Sequence, residues 1–339
     1  MPQTSPILRA RILTPRGLAV IAAVLAILLL TLTPSGNRPP LPFSYEIGGE
    51  RRWLADGILN LCLFVPLGLA VGWQSRSPWP AALCGFLLST AVELAQTMVP
   101  GRDPALSDII FNSLGATVGA VIARHPRTWY APGERASRIL TAASILTAAL
   151  VMTGTAVLLS PSESSCTAAR AGADLRLECT SRADQFGLDQ PEYWLRDAFN
   201  AKAEVPSLSV RRDRAKWRVI RGTDTIATLG PTVGQGWALL AYPNEIGRRW
   251  SPLLNGAWLA ALLLPIGFWS RRTTRLIALT ACVALLALIP VVTGIAFSGP
   301  VEWLGAVMGF ALGAGLSSST VMTRRQSRTL EKRPGGKSC

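Results

Sequence analysis

Apolar positions in this chain come in long blocks separated by short polar, basic or proline-containing stretches, and the blocks show no amphipathic period. Eight blocks stand out, at about residues 17–33, 54–73, 79–99, 106–123, 138–160, 251–269, 275–297 and 300–320. At about 1.5 Å of rise per residue, each is long enough to cross a hydrocarbon core of about 30 Å as a helix. The pattern predicts an all-α integral membrane protein with about eight transmembrane helices. Residues 161–250 break it, being rich in polar, charged, Gly and Pro residues. Leu175 to Cys179 alternates with period two, Ser207 to Ile220 more loosely, and Thr225 to Leu229 follows. Gly222, Gly230, Pro231, Gly234 and Gly236 punctuate this stretch. It predicts a small β-rich insert between helices five and six, with a short helix over Pro191 to Phe199. The chain thus divides into a five-span region 17–160, the insert 161–250, a three-span bundle 251–320 and a basic tail 321–339.

Composition agrees. Of 339 residues, 49% are hydrophobic and 16% charged, against about 25% charged in soluble domains. This excludes a disordered chain and argues against an ordinary soluble enzyme. The net charge of +14 raises the question of nucleic acid, but the charge is dispersed over loops. With the N-terminus inside, the inner segments hold 17 basic residues and only the acids Glu134 and Glu331. The short outer loops hold Arg38, Arg51, Arg52 and Arg102. The positive-inside rule therefore places both termini in the cytoplasm and the insert on the outer side of the membrane. No A-x-A site follows the first block, so it reads as an uncleaved anchor.

Few residues suggest covalent or metal chemistry. His125 stands between Arg124 and Arg127 and reads as a solvated loop residue; no His/Cys set has metal spacing, so no metal or cofactor is expected. Cys62, Cys84 and Cys282 lie in apolar blocks and read as small core residues. Cys166 and Cys179 share the insert and, in an oxidising compartment, are placed to form a disulfide. The run Arg211, Arg212, Arg214, Lys216, Arg218 and Arg221 suits either a solvated strand face or contact with anionic headgroups.

The informative polar residues lie inside the blocks. Asp56 and Asn60, Glu93 and Gln96, and Asp108 and Asn112 form three pairs at helical spacing on three successive spans. Asn60, Glu93 and Asn112 each lie six residues from the expected outer end of a span, which predicts one polar layer about 9 Å deep. Arg102, in the loop from Pro100 to Ala105, stands above it. Intramembrane acids usually face a bundle interior or a wet cavity. Three readings stand open: an acid–base pair, proton or ion carriers, or ties between helices.

Three segments resemble the signatures of the VanZ-like family of bacterial membrane proteins. They are Asn60-Leu61-x-Leu63-Phe64-Val65-Pro66-Leu67-Gly68, Glu93-Leu94-x-Gln96 with Pro100-Gly101-Arg102, and Ser107-Asp108-Ile109-x-x-Asn112-x-x-Gly115-x-x-x-Gly119. The resemblance implies a plasma-membrane protein of the cell envelope, with a family link to glycopeptide (teicoplanin) resistance. Its expected partners are membrane lipids or a lipid-linked envelope precursor, with a periplasmic partner for the insert as a further option. Two other classes stay open: a proton-coupled secondary transporter, and a scaffold whose insert binds a partner. A later repeat is also visible. Pro66-x-Gly68 matches Pro265-x-Gly267, and Asp108, Gly115 and Gly119 match Glu302, Gly309 and Gly313, whereas Asn112 falls opposite Ala306 and Glu93 has no counterpart.

Overall fold

The computed structural model describes residues 14–36, 38–47, 52–73, 75, 77–162, 166–188, 192–199, 208–241 and 248–331, with backbone alone for Arg16 and 318–331. The long helices are α1 (Pro15–Leu32), α2 (Trp53–Gly72), α3 (Trp79–Gln96), α4 (Leu106–Arg124), α5 (Glu134–Leu158), α6 (Ser251–Trp269), α7 (Arg275–Thr293) and α8 (Pro300–Glu331). Five of them, α2, α4, α5, α6 and α7, are long and apolar enough to cross a membrane. The boundaries follow local chemistry. The Thr14 hydroxyl accepts the Gly17 amide proton at 3.1 Å, capping α1. Proline in the first turn starts α3 and α6. Gly294, at φ 78°, ends α7 in the left-handed region.

Large apolar side chains point outward along these helices, among them Leu25, Leu29, Leu83, Leu87, Leu276, Ile277 and Val292. Such a surface suits lipid rather than water. The buried faces carry small residues. The chain forms two compact units, residues 1–127 and 128–339.

In the first unit α2 and α4 are the closest pair, although α3 lies between them in sequence. Glycines permit this approach. A Cβ on Gly115 would run into the Leu61 carbonyl, one on Gly119 into that of Val65, and one on Gly68 into that of Ala116. Without a hydrophobic drive between helices in lipid, such close backbone packing is the main source of association. α3 lies on α4, and α1 covers α2 and α3, with Ile27, Phe64, Leu67, Val92 and Ala116 between them.

The second unit holds α5 to α8 and the insert. α6 and α8 form its closest pair, again skipping the helix between them, and α5 packs on α6 and α7. α5, grouped by sequence with the first four spans, packs within this unit. Its helical core includes Met152, Leu259, Leu263, Ile266, Leu286 and Phe310.

The insert contains two three-stranded antiparallel sheets, β1 (Thr167–Ala171), β2 (Asp174–Glu178) and β3 (Tyr193–Leu195), then β4 (Leu208–Asp213), β5 (Lys216–Arg221) and β6 (Asp224–Leu229). Leu175, Leu177, Tyr193, Trp217 and Val219 form one core between the sheets. Cys166 and Cys179 are joined by a disulfide at its edge. Of the short helix expected over Pro191 to Phe199, Pro191 lies outside the described residues and Tyr193–Leu195 is instead β3. Tyr193 pairs with Leu177 and buries its ring in that core, which a free helix would not reach. Of the stretch expected from Ser207 to Ile220, Ser207 lies outside the described residues, and the rest forms a hairpin of β4 and β5 turned at Arg214 with φ 57°. Cys62 and Cys84 are exposed on outward helix faces rather than in the core; Cys282 is buried.

Candidate functional site

The end of the first unit where α3 finishes and α4 begins collects the polar residues, in two tiers. α3 ends at Gln96, so Glu93 lies one turn below the helix end rather than two. Glu93 is 2% exposed, and its Oε2 accepts the Ala105 amide proton at 3.0 Å. Ala105 is the N-cap of α4 and makes no side-chain cap of its own. A carboxylate from α3 thus serves an amide at the start of α4, where the helix dipole favours negative charge. Asp108 in the first turn of α4 and Arg102 in the preceding loop both lie within electrostatic range of the Glu93 carboxyl. Asp108 is half-buried, and its Oδ1 accepts a bond from Ser107 Oγ at 3.3 Å.

Arg102 and Gln96 reach sideways to the end of α1. Arg102 Nη2 donates to Leu30 O and to Thr33 O, each at 2.7 Å, and its Nε donates to Thr33 O at 3.0 Å. Gln96 Nε2 donates to Thr31 O at 2.9 Å. Carbonyls in the last turn of a helix lack intrahelical donors, and these side chains supply them. Arg102 therefore ties α1 to the α3–α4 loop as well as facing the acids.

The lower tier joins Asn112 to Ser89, one turn deeper on α3. Asn112 Nδ2 donates to Ser89 Oγ at 2.9 Å, and both residues are fully buried. Asn112 Oδ1 has no hydrogen-bond partner among the described residues. A buried amide oxygen left without a donor is costly and marks a point where a donor would be welcome. Asn60 on α2 is half-buried and joins none of these bonds. Asp56 is half-buried in the first turn of α2.

Sequence reasoning missed three contributors. Ser89 carries no signal beyond being a small polar residue in an apolar block. Arg52 read as a loop cation, yet it is 6% exposed at the N-cap of α2, with φ 81°. The third is the α1–α2 loop. Ser44 N donates to Pro104 O and Leu106 N to Ser44 O, both at 2.9 Å. Gly101 N donates to Arg38 O at 3.0 Å, and Ser35 Oγ donates to Gly101 O at 2.5 Å. Two connecting segments are thereby stitched together over the buried acid. Gly101 adopts φ 76°, and a Cβ there would lie 2.7 Å from the Ser35 carbonyl, so only glycine fits this roof.

The basic run of the insert is largely satisfied by its own fold. Arg218 binds Asp213 at 2.7 and 3.0 Å, Arg221 donates to Ala198 O at 2.5 Å, and Arg212 to Arg214 O at 2.9 Å. Burial raises the Tyr193 phenol above its usual range, keeping the core of the insert neutral.

Apolar outer faces, glycine-packed helix pairs and a buried polar end define the class: a mostly helical, multi-pass membrane protein. Residues 19–129 match the family model described as VanZ/LLP1, to which this part of the chain is similar. The matched stretch lies almost wholly within the first compact unit and ends two residues beyond it. No curated protein and no solved structure matches the chain.

Proposed function

We propose that this is a bacterial plasma-membrane protein with eight crossings and cytoplasmic termini. It acts on, or shields, a cell-envelope component reached from the outer leaflet. A lipid headgroup or lipid-linked precursor is the ligand class that such a position serves. The working residues are Glu93 and Asp108, with Arg102 and Asn112 beside them. The observation that carries this reading is the burial of Glu93 at the outer end, in electrostatic range of both Asp108 and Arg102. Burying a carboxylate is unfavourable unless its partners compensate. One amide bond to Ala105 is a small return for that, so a second role for the charge is the simpler account. The uncompensated Asn112 oxygen below it supports the same reading.

The test is complementation of a deletion strain, scored by envelope stress and by teicoplanin susceptibility, with membrane levels checked by blotting. Glu93→Gln keeps an acceptor for the Ala105 amide, and Asp108→Asn keeps the size. Both should reach normal levels and fail to rescue. Full rescue by both would end the proposal.

A further inference from the structure

The two helix pairs repeat each other contact by contact. On α2 and α4, Gly115 faces Leu61, Gly119 faces Val65 and Leu69, and Gly68 faces Ala116. On α6 and α8, Gly309 faces Ala260, Gly313 faces Leu264 and Phe268, and Gly267 faces Phe310. One constant offset relates α2 to α6 and another relates α4 to α8, and every one of these partners obeys both. Gly spacing by itself is weak evidence in apolar helices, but a shared list of the atoms each glycine meets is not. α1 packs on α2 and α3 as α5 packs on α6 and α7, whereas the packing of α3 on α4 has no counterpart in α7 on α8. The α6–α8 pair therefore repeats the α2–α4 interface, and the β-rich insert occupies the loop between α5 and α6.

The same offsets place Asn255 at the position of Asp56 and Glu302 at that of Asp108. Asp56 and Asp108 are half-buried, whereas Asn255 is 8% and Glu302 4% exposed. The difference comes from the 3-10 turn Val233–Leu239 at the end of the insert, which packs on α5 and α6. Just before it, Thr232 Oγ1 donates to Glu302 Oε1 at 2.6 Å, beside the Asn255 Nδ2 bond at 2.9 Å. Trp237 Nε1 donates to Asn255 Oδ1 at 2.7 Å. Gly234 presses on the carboxyl itself: a Cβ there would stand 2.5 Å from Glu302 Cδ. Ser298 and the Gly299 amide also face this carboxyl. A hydroxyl and an indole N–H from the insert thus occupy acceptors that the helices present.

We propose that Glu302 and Asn255 form a second acid site, built like the first, and that the segment Thr232–Leu239 is its lid. The site takes hydrogen-bond donors, with the Thr232 hydroxyl and the Trp237 N–H as its resident occupants. It stands independently of the role given to Glu93.

A hydrophobic carbodiimide tests this directly, since it forms a stable adduct with a carboxyl that it can reach in an apolar setting. The full-length protein in detergent is treated, and the adduct on Glu302 is quantified by peptide mass spectrometry. Wild-type Glu302 should label slowly. Thr232→Val with Trp237→Phe removes both hydrogen bonds, and Gly234→Ala wedges the segment off the carboxyl without removing a bond. Either should raise the labelling rate at Glu302 at least tenfold, with the Cys166–Cys179 disulfide intact as the check on insert folding. Equal rates in wild type and in both variants, whether fast or slow, would overturn the lid.

Discussion

The first and second units use one backbone scaffold and fill it with opposite chemistry. In the first, polar residues continue inward from the start of α2 and α4: Asp56 and Asp108, then Asn60 and Asn112. In the second, the corresponding residues are Asn255 and Glu302, then Leu259 and Ala306. One acid has become an amide, and the lower tier is apolar. Leu259 is fully buried in the second unit's core. The α3 acid has no equivalent on α7. The roofs differ too. A short loop stitched by backbone bonds covers the first unit, and the last turn of a folded insert covers the second. Helix packing is thus separable from the polar residues it carries, because the glycine contacts survive where the polar tiers do not.

The scaffold is where the largest effects should lie. Gly115→Leu and Gly309→Leu each place a side chain where a carbonyl now sits, and each should destabilise by ~4 kcal/mol, within the range of severe overpacking. Recovery of folded chain from membranes checks this. Tolerance at one site but not the other would break the equivalence of the two pairs. The insert comes next. Cys166→Ser opens a short loop and should cost about 3 kcal/mol of local stability in a chain-entropy account, read by limited proteolysis of the intact chain. The buried acids follow. Glu302→Ala strands two donors, those of Thr232 and Asn255, and Glu93→Ala strands the single Ala105 amide. Each stranded donor costs about 1–3 kcal/mol, so Glu302→Ala should lower the thermal midpoint more. An equal drop would mean that the lid bonds carry little. Smallest of all, Ser89→Ala with Asn112→Ala rewrites the lower tier in the manner of the second unit. Removing both partners together should change stability by less than about 1 kcal/mol, and loss of rescue without loss of protein would assign that tier to function.

Much of this was readable from residue order, and the exceptions have physical causes. Each of the eight apolar blocks holds a long helix, five of them long and apolar enough to cross a membrane, because a helix in an apolar setting satisfies its own backbone. The acids stood out because charge is expensive there. Depth was less legible: counting inward from the end of an apolar block put Glu93 level with Asn112, but α3 stops at Gln96 and its last apolar residues form a turn. β1 was invisible, since all five of its residues are exposed and no alternation marks them. Arg52 and Ser89 were hidden for the opposite reason, that a residue's type does not reveal who faces it. The repeat lay half in view as glycine spacing. Only the partners of each glycine distinguish a copied interface from chance.

The order of helices along the chain has a consequence for how the protein is made. α2 packs chiefly on α4 and α6 chiefly on α8, so neither meets its main partner when it leaves the ribosome. At about 5–20 residues per second, α2 must wait several seconds while α3 and then α4 are synthesised. During that interval the carbonyls of Leu61 and Val65 and the groove at Gly68 face lipid or an insertion factor. α6 waits in the same way while α7 and then α8 are synthesised. Assembly of the second unit is thus a late event, and truncation within α8 would leave α6 with a permanent vacancy along its glycine face.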